Sequence, residues 1–394
     1  MPTSENRPAA LVFLHSFEPG GVERVALRLV ARWQETGQPV SLFMGRMDGA
    51  MREQFADAVY MSCAPETRLP IRHFETLWMI VQLARHIVKT RPRALFAAGN
   101  SYAVVAVAMK WLLGQRCPPI VMKISNDLIR PDMIAPYAVL YRLWLRIQGR
   151  SIDRLIAMSE PLAAQIAREM KVPPSRIEII ANPSLDAISR GNAARPATPE
   201  SGRSFCIVGR LTRQKNLALA LRAFASGAGE TDTLTFYGDG PERSCLEKLA
   251  RHFGIQARVR FAGFVPDPRA HMRHHHVLLL TSQYEGLPSV VVEALDAGLH
   301  IVTTDCCCSM RWLLDDGQLG MIVPSDDEAA LARAIEQAPA GQQNMAGARA
   351  KAAQHRIEPV AQDYLRAFER AARAEAATAS AATHEMKPIT GYVQ

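Results

Sequence analysis

Four stretches of this 394-residue chain carry residue types and spacings suited to handling an anion or a sugar. The first, Glu18-Pro19-Gly20-Gly21-Val22-Glu23-Arg24, follows an apolar run and opens a helix-period segment. Adjacent glycines let backbone N–H groups approach a phosphate closely, and the helix that follows presents its positive end to the same group. An ordinary strand-to-helix turn would read the same way. The second, Val208-Gly209-Arg210-Leu211-Thr212-Arg213-Gln214-Lys215-Asn216, places Arg210 and Lys215 where both can converge on one diphosphate. The planar guanidinium fork and the compact ammonium suit multidentate phosphate binding, and solvated surface charge is the alternative. In the third, Tyr237-Gly238-Asp239-Gly240-Pro241, two glycines flank an acid that is either a ligand contact or a stabiliser of the next helix. The fourth runs from Thr281 to Glu293 and contains Glu285-Gly286-Leu287-Pro288-Ser289. Glu285 falls in its loop and Glu293 about a turn inside the helix, so two carboxylates can accept hydroxyl hydrogens at different heights of one crevice.

These stretches need a scaffold that brings loops to one edge. In the first half, apolar runs at Ala10–Leu14, Val40–Met44, Ala94–Ala97, Ile120–Ile124 and Leu155–Ala157 read as strands, with helical stretches such as Val22–Trp33 and Phe74–Lys89 between them. Strands interleaved with helices of that length require crossovers, and hence a parallel sheet covered on both faces. The pattern restarts at Phe205–Val208, Leu234–Tyr237, Val259–Ala262, Val277–Leu280 and Ile301–Thr303, with helices from about Asn216, Pro241, Ser289 and Glu328. The expected class is α/β, with two Rossmann-like doubly wound domains facing a central cleft. Residues 1–190 form the first domain, 191–203 a linker rich in small residues and proline, and 204–357 the second. An amphipathic helix at 358–374 and a frayed tail at 375–394 follow.

Composition narrows the partners. With 48% hydrophobic and 21% charged residues, disordered, collagen-like and coiled-coil readings fall away. Residues Met1 to Pro8 carry no apolar run behind a basic start, and no stretch of about 18 apolar residues occurs, so folding in the cytoplasm without a spanning helix is expected. The seven cysteines include no C-x-x-C pair, which fits a reducing compartment; Cys306, Cys307 and Cys308 with His271 and His274 to His276 lack zinc-ligand spacing. Up to residue 193 the chain has 24 Lys/Arg against 16 Asp/Glu, and the remainder has 22 against 22, so the whole +8 belongs to the first half. That asymmetry points to an anionic partner there: nucleic acid, a phosphate-bearing substrate or an acidic lipid surface.

Taken together and in order, VGRLTRQKN, YGDGP and EGLPSVVVE resemble the phosphate loop, turn and E-x7-E motif of the large retaining glycosyltransferase family 4, whose members have the GT-B fold; the match runs from Leu11 to about Val323. The resemblance implies a hexosyltransferase in which Arg210 and Lys215 neutralise the nucleotide diphosphate and Gly20 and Gly21 close over the donor. It also implies that Glu285 contacts the transferred sugar and Glu293 the ribose, with Gly238, Asp239, Gly286, Leu287, Pro288 and Ser289 completing the donor site. The helix at 358–374 would cross back onto the first domain. No cofactor and no divalent metal are expected, and the chain holds no D-x-D pair. Many relatives place a histidine where this chain reads Lys123-Ile124-Ser125-Asn126-Asp127-Leu128, leaving Asn126 and His15 as candidate substitutes.

The GGVERVALRL opening and the stretch from Ser125 to Asp132 are most similar to bacterial exopolysaccharide α-mannosyltransferases that use GDP-mannose and a polyprenyl-diphosphate-linked cellobiose acceptor. Arg142, Arg146, Arg150 and Arg154 recur at i+4 among Tyr141 and Trp144, a pattern for lying on an anionic membrane, here its inner face; Phe74 to Arg93, with Trp78, is a second such segment. Nucleic acid is not an expected partner, since it asks for stacking aromatics along a basic groove. A UDP-sugar donor with a lipopolysaccharide acceptor, a 2-epimerase and a non-catalytic sugar-nucleotide binder are the competing readings.

Overall fold

The computed structural model describes residues 7–18, 20–66, 74–129, 135–186 and 202–385. Pro19, Arg130-Pro131-Asp132, most of the 191–203 linker and the end of the tail from residue 386 lie outside them.

Thirteen strands form two sheets among these residues. The first contains β1 (Ala10–Leu14), β2 (Val40–Met44), β3 (Met61–Cys63), β4 (Leu95–Ala97), β5 (Ile120–Lys123), β6 (Arg154–Ala157) and β7 (Ile177–Ile179), in the order β3-β2-β1-β4-β5-β6-β7. The second contains β8 (Ser204–Val208), β9 (Thr233–Tyr237), β10 (Val259–Gly263), β11 (Val277–Leu280), β12 (His300–Thr304) and β13 (Met321–Val323), in the order β10-β9-β8-β11-β12-β13. Every pairing is parallel. In each sheet the order reverses beside its first strand, between β1 and β4 and between β8 and β11. At such a switch point, loops leaving the strand C-termini part and open a crevice. This is the GT-B arrangement of two parallel α/β domains.

Three strands carried no signal in the sequence: β3, β7 and β13, each three residues long and each at a sheet edge. Central strands are buried on both faces and read as continuous apolar runs. An edge strand such as Met61-Ser62-Cys63 or Ile177-Glu178-Ile179 lies half in solvent and needs no such run.

The last helix, Ile357–Glu385, covers the first sheet beside the Gly21–Glu35 helix. Trp33 donates its indole N–H to the Ala361 carbonyl at 2.9 Å, and its ring packs edge-on against Tyr364 and Phe368, with Phe96 of β4 beneath. Burying an aromatic of this size contributes roughly 2–3 kcal/mol, so this cluster ties the chain's end to the domain where it began. The helix continues well past Ala374, where a frayed tail was expected: the segment from Glu375 through Ala382 is alanine-rich and contains neither glycine nor proline to stop it.

The basic helix of the first domain ends at Ser151, so Arg154 is not on its stripe. It opens β6 instead and bonds the Ser175 carbonyl, with Glu178 nearby. Trp78, read as a surface aromatic, is partly buried against the core.

Candidate functional site

The two switch points face each other. On the second sheet, the loop after β8 carries Arg210 and Lys215 and the loop after β11 carries Glu285; these are the strands flanking the reversal. Lys215 Nζ meets Glu285 Oε1 at 2.5 Å, both side chains being mostly buried. Thr281 Oγ1 donates to the Lys215 carbonyl at 2.9 Å and Gln214 Nε2 to the Tyr284 carbonyl at 2.9 Å, so the two loops are stitched together. Val208, Gly209, Arg210, Lys215, Thr281 and Ser282 share the wall of one small cavity. Arg210 is exposed and has no partner among the described residues. The arrangement leaves one guanidinium free and one ammonium pre-positioned by a carboxylate.

Gly238 and Asp239 act from behind. Gly238 adopts φ +140°, and a Cβ there would run into the Gly209 carbonyl oxygen, so the β9 turn can press against the phosphate-type loop only without a side chain. Asp239 accepts from the Gly240 N–H and approaches Arg243. It does not cap the next helix, which begins at Arg243 after Glu242 without a side-chain cap.

The remaining predicted residues lie where the domains touch. Asn126, after β5, forms an antiparallel bridge with Gly286, and a Cβ on Gly286 would collide with the Ser125 carbonyl oxygen. This glycine therefore permits close approach of the first domain to the residue beside Glu285. Leu287 is buried in the core and Pro288 holds the N-cap position of the Ser289–Ala297 helix. The Ser289 hydroxyl is 3.1 Å from both Asn182 Nδ2 and Ser184 Oγ, so it bonds across the seam. Glu293 lies deep in the cleft. Burial pushes its carboxyl up to about 7 against the pull of Arg269, Arg28 and Arg24. Arg24 and Arg28 belong to the helix that Gly21 opens, with Gly20 as its extended N-cap, so the glycine turn and Glu293 face one another across the domains.

Several contacts of this constellation escaped the sequence reading, including those made by His15, which it names only as a candidate substitute for the family histidine. Asp186 is held by Arg28 of the first domain and, at 2.6 Å, by Arg269 of the second; burial opposes its ionisation, and the two guanidinium groups still hold the carboxyl below its usual range. Asp127 accepts from the Cys308 N–H at 2.8 Å and from its thiol at 3.0 Å. Burial and Asp127 push that thiol up to about 12, so it stays protonated and donates. Lys123, fully buried at the end of β5, bonds Asn182, and burial brings its ammonium down to about 7. His15 stacks on Tyr102, whose hydroxyl donates to Glu23 at 2.8 Å; burial lowers the imidazole's pKa despite Glu75 and Glu23. Each pair joins residues 59 to 181 positions apart, and nothing in the local sequence announces the contact. The seven cysteines are unpaired, and among the described residues no group of three His, Cys, Asp or Glu converges as metal ligands.

Comparison with known proteins agrees with the two-domain fold. A 4-like glycosyl transferase domain matches residues 20–183, and a group 1 glycosyl transferase domain matches 191–356. The lipopolysaccharide core biosynthesis glycosyltransferase LpsE of Rhizobium meliloti is 34% identical over 144 residues, 36% of this chain and 42% of that protein. An N-acetylgalactosaminyltransferase of Campylobacter jejuni, which by its name acts on a diphospho-undecaprenol-linked saccharide, is 26% identical over 47% of this chain and 50% of that protein. The chain thus spans about half or less of the length of these curated relatives. Among solved structures, Anabaena HepE in complex with UDP superposes with a TM-score of 0.71 at 17% identity, covering 92% of this chain and 99% of that one. The galactosyltransferase WaaB gives 0.69 at 16%, covering 92% and 99%. The chain therefore has the GT-B fold, and its two halves match, in order, a glycosyl transferase 4-like domain and a glycosyl transferases group 1 domain.

Proposed function

We propose that this chain transfers a hexosyl unit from a nucleotide diphosphate sugar, with retention at the anomeric carbon, to a polyprenyl-diphosphate-linked saccharide in bacterial exopolysaccharide assembly. The observation that carries the reading is the Lys215–Glu285 pair, at 2.5 Å, beside the unpartnered Arg210 at the second sheet's switch point. As the glycosidic bond to the diphosphate breaks, negative charge grows on the departing oxygen. Cations fixed in a closed, water-poor cleft stabilise that charge more than solvent does. Arg210 and Lys215 take this role, Glu285 hydrogen-bonds the sugar hydroxyls, and Glu293 accepts from the ribose. The acceptor's proton passes to the diphosphate oxygen on the same face, so no protein nucleophile is needed, and Asn126 lies beside Gly286 where donor and acceptor must be held in register. No divalent metal takes part in this scheme.

GDP-mannose and lipid-linked cellobiose are the proposed substrates, on the resemblance of the glycine-pair opening and the stretch after β5. The UDP in the HepE complex supports a second reading, a UDP-sugar donor with a lipopolysaccharide-type acceptor. Incubating the purified protein with labelled GDP-mannose, UDP-glucose, UDP-galactose and UDP-N-acetylgalactosamine and a membrane lipid extract separates them. Transfer of mannose alone supports the first, and transfer only from a UDP-sugar replaces it with the second. Failure of GDP and UDP alike to bind near Arg210 and Lys215 overturns both. The proposed location is the inner face of the cell membrane; no described helix is long and apolar enough to cross a bilayer.

A further inference from the structure

A second basic site lies at the opposite end of the first domain. An open groove of about 1260 Å³ runs beneath the N-terminal ends of β4 to β7, closed on one side by the final helix around Ala371 to Ala376. Eight of the side chains facing it are Arg or Lys and two are carboxylates, Asp153 and Glu375. Asp153 is already taken by Lys110 at 2.8 Å and by the Ile120 N–H, and burial raises the pKa of Glu375. Arg91, Arg116 and Arg150 are exposed and have no partner among the described residues, and Arg7 keeps a buried Nε without one. The imbalance is written into the chain, which has no acidic residue between Glu75 and Asp127. Unpaired arginines gathered in one concavity, where basic side chains outnumber carboxylates and Asp153 is already held by Lys110, leave a site whose charge is satisfied by an incoming phosphate.

Exposed apolar side chains lie in and beside the groove. Val88, which lines it, is 44% exposed, and Trp111 and Leu112, next in the chain to Lys110, are 67% and 64% exposed. They end the outward stripes of the Glu75–Thr90 and Ala103–Leu113 helices, which pack side by side and continue to the Ala135–Ser151 helix with its exposed Leu140 and Leu143. This flank runs from the cleft end of the domain to the groove. Apolar side chains around a phosphate-type pocket match the layering of a bilayer interface, with phosphate above and acyl chains below.

We propose that the groove is a headgroup site for anionic phospholipid, in which Arg91, Arg116 and Arg150 take the lipid phosphate while Trp111 and Leu112 enter the acyl boundary. The site deepens the lipid-linked reading by holding the enzyme on the surface that presents its acceptor, with the cleft at the other end of the same flank.

The test measures binding of the full chain to vesicles of phosphatidylglycerol and phosphatidylcholine and to vesicles of phosphatidylcholine alone. Arg91→Ala and Arg116→Ala each weaken binding to the anionic vesicles about fivefold, and Trp111→Ala with Leu112→Ala weakens it at least tenfold. Arg251→Ala, on an exposed face of the second domain outside the nucleotide loops, leaves it unchanged, and GDP and UDP bind every variant as they bind wild type, which shows that the variants fold. Equal vesicle binding by wild type and the groove variants overturns the proposal. So does inorganic pyrophosphate that binds the groove as tightly as lipid does with Trp111 irrelevant, which makes it a soluble-anion site, or preference for duplex DNA through the same arginines. Loss of nucleotide binding in wild type overturns the glycosyltransferase reading and leaves the vesicle result standing.

Discussion

The two switch points of this molecule are built alike and held differently. In the second sheet the crevice loops are locked by short-range chemistry: Lys215 to Glu285, Thr281 to the Lys215 backbone, and Gly238 pressed against Gly209. In the first sheet the corresponding residues, His15, Glu23 and Tyr102, form a polar stack around a half-buried imidazole, and the Arg24 side chain stands exposed without a hydrogen-bond partner among the described residues. Pre-organisation reduces the reorganisation needed when charge develops, so the locked half is suited to the leaving group. The less tightly paired half is suited to a partner that arrives and departs.

That contrast can be broken most directly at its tightest point. Lys215→Ala and Glu285→Ala should each lower turnover by about 10²–10³-fold, the usual cost of removing one electrostatic contact to a transition state. Circular dichroism should remain that of the wild type; full activity in either variant would remove the pair from the mechanism. Gly238→Ala tests the lock itself. A side chain at φ +140° facing the Gly209 carbonyl should cost at least about 1–3 kcal/mol in denaturant unfolding and weaken nucleotide binding. An unchanged midpoint would show that the two loops are free to separate.

Glu293 sharpens the comparison by pH. Its folded pKa of about 7 lies above the ordinary 4.5, so the native state binds the extra proton and stability falls as pH rises from about 4.5 through 7. Glu293→Gln should therefore stabilise the protein at pH 8, by about 2–3 kcal/mol, and little at pH 4. Ribose hydroxyls favour the ionised carboxylate, so nucleotide affinity should tighten from pH 6 to 8 in wild type and stay flat in the variant. A flat wild-type profile would detach Glu293 from the ribose. At the seam, a double-mutant cycle on Asp127→Asn and Cys308→Ala should return a coupling of about 1 kcal/mol. A value near zero would mean that the domains are held by the Asn126–Gly286 bridge and the Asp186 fork without this contact.

The motif residues of the second domain were legible because their roles are local. A glycine at a tight turn, a cation a few residues after a strand and a carboxylate at a helix start are consequences of short segments. The central strands were legible for the same reason, since burial on both faces forces an unbroken apolar run. Edge strands β3, β7 and β13 were not, and neither was the end of the Ile357–Glu385 helix, whose alanine-rich segment favours helix without apolar periodicity. Arg154 shows the hazard of periodicity alone: the i+4 spacing continued past the helix into β6, where the backbone had changed.

By itself the sequence determined the fold class, the order of the loops and which residues are chemically equipped, because propensity, hydrophobic period and turn chemistry act over a few residues. Tertiary structure alone decided that Glu285 holds Lys215, that Asp186 is shared by Arg28 and Arg269, that Cys308 donates to Asp127, and that arginines from separate segments line one groove. Those outcomes depend on distances between residues far apart in the chain, and on how much water each group loses when the sheets close. Neither quantity exists until the chain has folded.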